Sequence, residues 1–122
     1  MSQAGHHPHQ HDRDQRRTRR KPVAFAATVM DVITGEPMGQ IGNLSGTGML
    51  LICPAAPQSE AIHQVRLPLS GDSAVPQYIE AGIQEQWHES PGAADLVWAG
   101  YRIIAISEED DARLDAWLAL PG

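Results

Sequence analysis

The apolar positions of this chain fall into short blocks separated by clusters of Gly, Pro, Ser, Asn and Asp. Residues 23–30 (VAFAATVM) are apolar and partly β-branched, and they predict a first strand. Asp31 to Pro37, which contains Gly35, predicts a turn, and residues 38–44 (MGQIGNL) a second strand. Ser45-Gly46-Thr47-Gly48 predicts another turn, followed by a continuously apolar third strand from Met49 to Cys53 that Pro54 and Pro57 end. Residues 61–69 alternate, with His63, Val65, Leu67 and Leu69 on one side, as in a half-buried strand. Tyr78 to Trp87 alternates too: Ile79, Ala81 and Ile83 share a face that continues to Glu85 and Trp87. Pro91 and Gly92 mark a hairpin connection before the last strand, Leu96 to Ile106.

A single helix follows. Ser107 is placed to cap it, and Glu108, Glu109, Asp110 and Asp111 lie in its first turn, where the helix dipole favours anions. Asp110 stands three residues past the cap, as in a capping box. Leu114, Trp117 and Leu118 form an apolar stripe expected to pack on the strands, and Pro121-Gly122 stops the helix. About six short strands and then one helix predict a mainly β, closed six-stranded antiparallel barrel with a C-terminal α-helix.

The 122 residues suit one domain. Residues 1–12 (MSQAGHHPHQHD) are polar and predict a disordered tail, residues 13–21 a flexible arm, and residues 22–120 the folded domain. His6, His7, His9 and His11 are irregularly spaced with no cysteine nearby, so no metal site is expected. Cys53 is the only cysteine and reads as a buried small hydrophobe, which fits a reducing compartment. There is no apolar run of about 20 residues and no apolar N-terminal core, so a soluble, cytoplasmic protein without membrane insertion is expected.

Charge changes this picture. Six of the nine basic residues (Arg13, Arg16, Arg17, Arg19, Arg20 and Lys21) fall within nine positions. Beyond Lys21, thirteen acidic residues face only Arg66, Arg102 and Arg113. An acidic body speaks against bulk nucleic-acid binding, and the arm by itself reads either as a grip on a compact anion or as a solvated, generic polyanion-binding tail. Arginine forks pair bidentately with phosphate and with the O6/N7 edge of guanine. Asn43 and Ser45 lie two apart, before and within the turn. They offer a carboxamide and a hydroxyl, and Gly48 leaves room for a ligand or a neighbouring backbone.

Together, Arg16-x-x-x-Arg20 and Asn43-x-Ser45-x-x-Gly48 resemble the signature of the PilZ domain family, the cyclic di-GMP receptors. The flanks RRTRRKPV and GNLSGTGMLL, and the later AGIQEQWHES…AGYRIIAIS, resemble that family as well. The likeness covers about residues 13–120. It implies a PilZ-type barrel with cyclic di-GMP wrapped against its face by the arm. Arg16 and Arg20 would grip guanine edges and phosphates, and Asn43, Ser45 and Gly48 would form the second half of the clamp. Arg17 and Arg19 are possible additional contacts. Trp87 is either a further ligand contact or a core residue. Arg13-x-x-x-Arg17 offers a second register; Arg16/Arg20 is preferred for its distance from Pro22-Val23. Arg102, two after Gly100, is left outside the set.

No catalytic constellation is visible, and neither an enzyme nor a cofactor is expected. His63 reads as packed and His88 as exposed at a strand end. A module of this kind would signal through an effector protein. The alternative is a PilZ-like protein-interaction module that does not bind the nucleotide.

Overall fold

A computed structural model describes residues 19–23, 25, 27–69, 77–90, 92 and 95–120. The strands are β1 (Lys21–Pro22), β2 (Thr28–Asp31), β3 (Pro37–Leu44), β4 (Gly48–Cys53), β5 (Ile62–Pro68), β6 (Tyr78–Glu89) and β7 (Val97–Ile106), followed by the helix α1 (Glu108–Ala119). Strands β2 to β7 pair in the order β3-β2-β5-β6-β7-β4, and β4 pairs back to β3, which closes a six-stranded antiparallel barrel. The expected fold class is the one observed.

The predicted first strand is broken in two. Pro22 pairs with Asn43 and Val23 donates to the Gly42 carbonyl, whereas Ala27 accepts from Ile41 and Thr28 pairs with Gln40. β3 therefore advances one residue while its partner advances from Val23 to Ala27. Regular pairing resumes only at Thr28, and β1 is a two-residue stub on the same edge of β3.

Alternation sets the core. Val29, Ile41, Leu44, Met49, Leu51, Val65, Leu67, Ile79 and Ile83 are buried inside the barrel, and Leu114 and Leu118 of α1 join the same cluster. Each such side chain contributes roughly 1.5–3 kcal/mol relative to exposure. Ser107 caps α1 by accepting from the Asp110 backbone N–H at 3.1 Å. Asp110 does not complete a capping box: its carboxylate accepts from the backbone N–H of Glu80 on β6 (3.0 Å) and from Arg113 (2.7 Å). Its short side chain is spent tying the helix to the barrel. At the other end of α1, the Lys21 ammonium donates to the Trp117 and Leu120 carbonyls at 2.7 and 3.0 Å and lies 4.1 Å from the Trp117 ring. A cation there satisfies carbonyls that a helix C-terminus leaves open.

The opposite end of the barrel is polar inside. Asp31 accepts from the backbone N–H groups of Ile33 and Thr34, which shapes the β2–β3 turn, and its second oxygen lies 2.9 Å from His63 Nδ1. Glu85, 2 % exposed, accepts from the Glu60 backbone N–H at 2.8 Å and pairs with His88 Nδ1 at 2.7 Å. His63 is thus packed, as expected. His88 is half-buried and paired rather than exposed, because it folds back onto a carboxylate inside the barrel.

Candidate functional site

The outer face of β3, β4, β7 and β6 carries the candidate site. Antiparallel register aligns Asn43 with Leu50, Leu50 with Gly100 and Gly100 with Trp87, one row across four strands. The neighbouring rows are Gly48–Arg102–Gln84 on one side and Ile52–Trp98–Glu89 on the other. Three inter-strand steps of about 4.8 Å give the central row a length of about 14 Å.

Arg20 and Asn43 meet at one end of this row. The Arg20 guanidinium donates from Nη1 to Asn43 Oδ1 at 3.0 Å, at an exposed position. The base of the arm and the Asn-x-Ser-x-x-Gly turn, 23 residues apart, are therefore joined side chain to side chain. Arg19 is exposed beside them. Arg13, Arg16 and Arg17 lie outside the described residues, as does the histidine tail.

Ser45 takes a different place. It is 1 % exposed, and its hydroxyl accepts from the backbone N–H groups of Thr47 and Gly48 at 3.2 and 3.1 Å. It also lies 3.2 Å from the Gly48 carbonyl and from the Thr47 hydroxyl. With the Ser45 N–H bonded to the Gly48 carbonyl at 2.8 Å, these contacts build the turn from within. The exposed residue of the turn is Thr47. Gly48 is explained by close approach: any side chain there would overlap the Tyr101 carbonyl of β7. Among the described residues the positive-φ glycine is Gly35, so Gly48 supplies space rather than an unusual backbone angle.

Trp87 closes the other end of the row. It is 46 % exposed and faces outward, although strict alternation from Ile79 placed it inside with Glu85. A register shift between Glu85 and Trp87 accounts for this, since an inserted residue flips the face of every later one. The indole lies over Gly100, where a methyl group would collide with it. Arg102, on the same face two residues from Gly100, has no acidic partner among the described residues. Together with Trp87, Gln84, His88 and Glu60 it borders an open polar recess of about 650 Å³. Its two-residue spacing from Gly100 was the signal in the sequence that placed it on this face.

The electrostatics separate the two sides of the sheet. Inside, the Glu60 backbone N–H and then His88 hold the Glu85 carboxyl below its ordinary pKa against the opposing effect of burial. Asp31 is lowered first by its bond to His63 and then by the turn N–H groups. Burial raises the Tyr101 phenol and the Cys53 thiol. Outside, Arg20 and Arg102 stand at opposite flanks of an apolar strip. Among the described residues no group of three or more His, Cys, Asp or Glu is arranged to hold a metal ion. No helix there is long and apolar enough to cross a membrane.

The same architecture is found in a solved structure, the Bacillus subtilis inhibitor of motility MotI/DgrA, with a TM-score of 0.64 and 14 % identity over 81 % of this chain and 47 % of that one. The fold is PilZ-like. The chain spans about half the length of that protein, and at this identity the likeness concerns the fold alone. No protein-family profile matches the chain, and no curated protein matches it significantly.

Proposed function

We propose that this chain is a cyclic di-GMP receptor that passes the binding event to an effector protein, and that it is a binding module without catalytic activity. The observation that carries the reading is the Arg20–Asn43 bond, which joins the arm to the turn at the end of a flat strip ending in an exposed indole. A row of about 14 Å suits an extended dianion with a purine at each end. Arg20, with Arg16 folding in from the arm, meets a guanine edge or a phosphate. Asn43 turns its carboxamide from Arg20 to the ligand, and Trp87 offers a face on which a purine stacks. In this reading Arg102, exposed at the recess beside Trp87, neutralises the second phosphate. In this reading Ser45 and Gly48 act by fixing the turn. The Asp31–His63 pair lies at the barrel end, whereas the Glu85–His88 pair borders the recess beside Trp87 and Arg102. The acidic body discourages polynucleotides while the arm remains selective for a small anion. A cytoplasmic location follows from this ligand.

Isothermal titration of the full chain with cyclic di-GMP tests the reading. The wild type is expected to bind, and Arg20→Ala or Arg16→Ala to lose about tenfold to a hundredfold in affinity, the worth of a charge-assisted contact. Absence of binding by the wild type would overturn the proposal and leave the protein-interaction module as the reading of this fold.

A further inference from the structure

The 54–61 loop before β5 carries one backbone conformation that is unusual for its side chain. Glu60 sits at φ 61°, in the left-handed region that residues other than glycine seldom adopt. Its backbone is pinned to β6 on both sides: the N–H donates to Glu85 Oε1 at 2.8 Å, and the carbonyl accepts from Gln84 Nε2 at 3.2 Å. Glu60 is thereby held at the open recess of about 650 Å³ that residues 84–88 of β6, Arg102 of β7 and its own neighbour Ser59 also border. Strained positions of this kind concentrate at ligand clamps, and this one faces the same recess as the exposed Trp87.

Much of the wall satisfies itself. Glu85 Oε2 pairs with His88 Nδ1 at 2.7 Å, and the Gln86 amide donates to the Gln84 and Glu85 carbonyls at 3.3 Å each. Two charged groups have no bond or ion pair among the described residues, the Glu60 carboxylate and the Arg102 guanidinium. The first only accepts hydrogen bonds and the second only donates them. A cavity of about 150 Å³ accommodates benzene, so this recess admits a fused two-ring base.

Resting on the cyclic di-GMP reading, we infer that Glu60 is a specificity-determining residue of that site: its carboxylate accepts from N1–H and N2–H of the guanine that stacks on Trp87. Guanine presents these two donors side by side. Adenine presents a bare N1 acceptor at the same place, so its lone pair would face a carboxylate with no proton between them. His88 Nε2 or the Ser59 hydroxyl can take one of the two protons, whereas a carboxylate accepts both. Arg102, which serves the phosphate, offsets the added negative charge.

Isothermal titration of the full chain with cyclic di-GMP and with cyclic di-AMP tests this, for the wild type, Glu60→Gln and Glu60→Gly. The wild type is expected to favour the guanine ligand by more than about a hundredfold. Glu60→Gln offers one acceptor and one donor, which suits the adenine edge, and should narrow that preference by about tenfold or more. Glu60→Gly keeps both backbone bonds and suits φ 61°, so it should narrow the preference without lowering the melting temperature. In an NMR titration of the wild type, cyclic di-GMP should shift the Glu60 amide and the Trp87 indole N–H. Binding of cyclic di-GMP with an unchanged preference in either variant, or with both of those signals unmoved, would overturn the role of Glu60 and leave cyclic di-GMP binding standing. A wild type that binds neither dinucleotide would overturn the receptor itself, and the role of Glu60 with it.

Discussion

Ser45→Ala separates a residue that builds the turn from one that touches a ligand. The hydroxyl accepts from two backbone N–H groups, and the residue is 1 % exposed. Alanine keeps the backbone but leaves the buried Gly48 N–H without an acceptor. Thr47 is exposed, so its N–H turns to water at little cost. A buried donor left unsatisfied costs about 1–3 kcal/mol, and we take about 2 kcal/mol for the substitution. With a urea slope of roughly 1.5 kcal/mol/M for a domain of this size, the midpoint should fall by about 1.3 M at unchanged slope. The melting temperature should drop by about 10 °C. Urea unfolding followed by far-UV circular dichroism reads this directly. Asn43→Ala is the counterpart: it breaks one exposed bond to Arg20 and should change stability by less than about 0.5 kcal/mol while weakening cyclic di-GMP binding. If Ser45→Ala unfolds like the wild type yet loses the nucleotide, the hydroxyl is a direct ligand contact and the assignment of its bonds to the turn is wrong.

Other outcomes follow from the same structure. Gly100→Ala should force the Trp87 indole off the strip at a cost of about 1–3 kcal/mol, seen as a shift in tryptophan emission; unchanged emission would mean that the indole does not rest there. Lys21→Ala removes two bonds to helix carbonyls and the contact with Trp117, and should cost about 1–2 kcal/mol in a thermal melt. Asp31 and Glu85 are both held below their unfolded pKa values, so their stabilisation is complete above those values and is lost as pH falls through the lower folded ones. Stability should therefore decline progressively below about pH 4, and Asp31→Asn with Glu85→Gln should flatten that decline. An equally steep acid limb in the double variant would place the sensitivity elsewhere.

The sequence was most legible where local rules decide. Alternation in 61–69 put His63, Val65 and Leu67 inside, and the Ser107 cap set the start of α1. The motif resemblance put Arg20 and Asn43 in one proposed site, and in the structure their side chains are 3.0 Å apart across 23 residues of chain. Period-two reasoning failed at Trp87 because one inserted residue reverses every later side chain, and nothing in GIQEQWHE announces the bulge. The carboxylate–histidine pairs were less visible still. Asp31 and His63 stand 32 residues apart and become neighbours only when the β2–β5 seam closes, a seam of just two residue pairs. Ser45 was readable as a residue of the motif, whereas the bonds its hydroxyl makes inside the turn depend on the closed turn and not on spacing.

The Lys21 contact with the end of α1 also has a kinetic meaning. It joins positions 99 apart, and such a closure is entropically costly until the intervening barrel has formed. It is therefore expected to form late in folding, after the transition state. A bond of that kind leaves the folding rate almost unchanged and acts as a brake on unfolding. Loss of Lys21 should appear in the unfolding limb of a chevron, as a native state that opens several-fold faster, first where the arm meets the C-terminal helix.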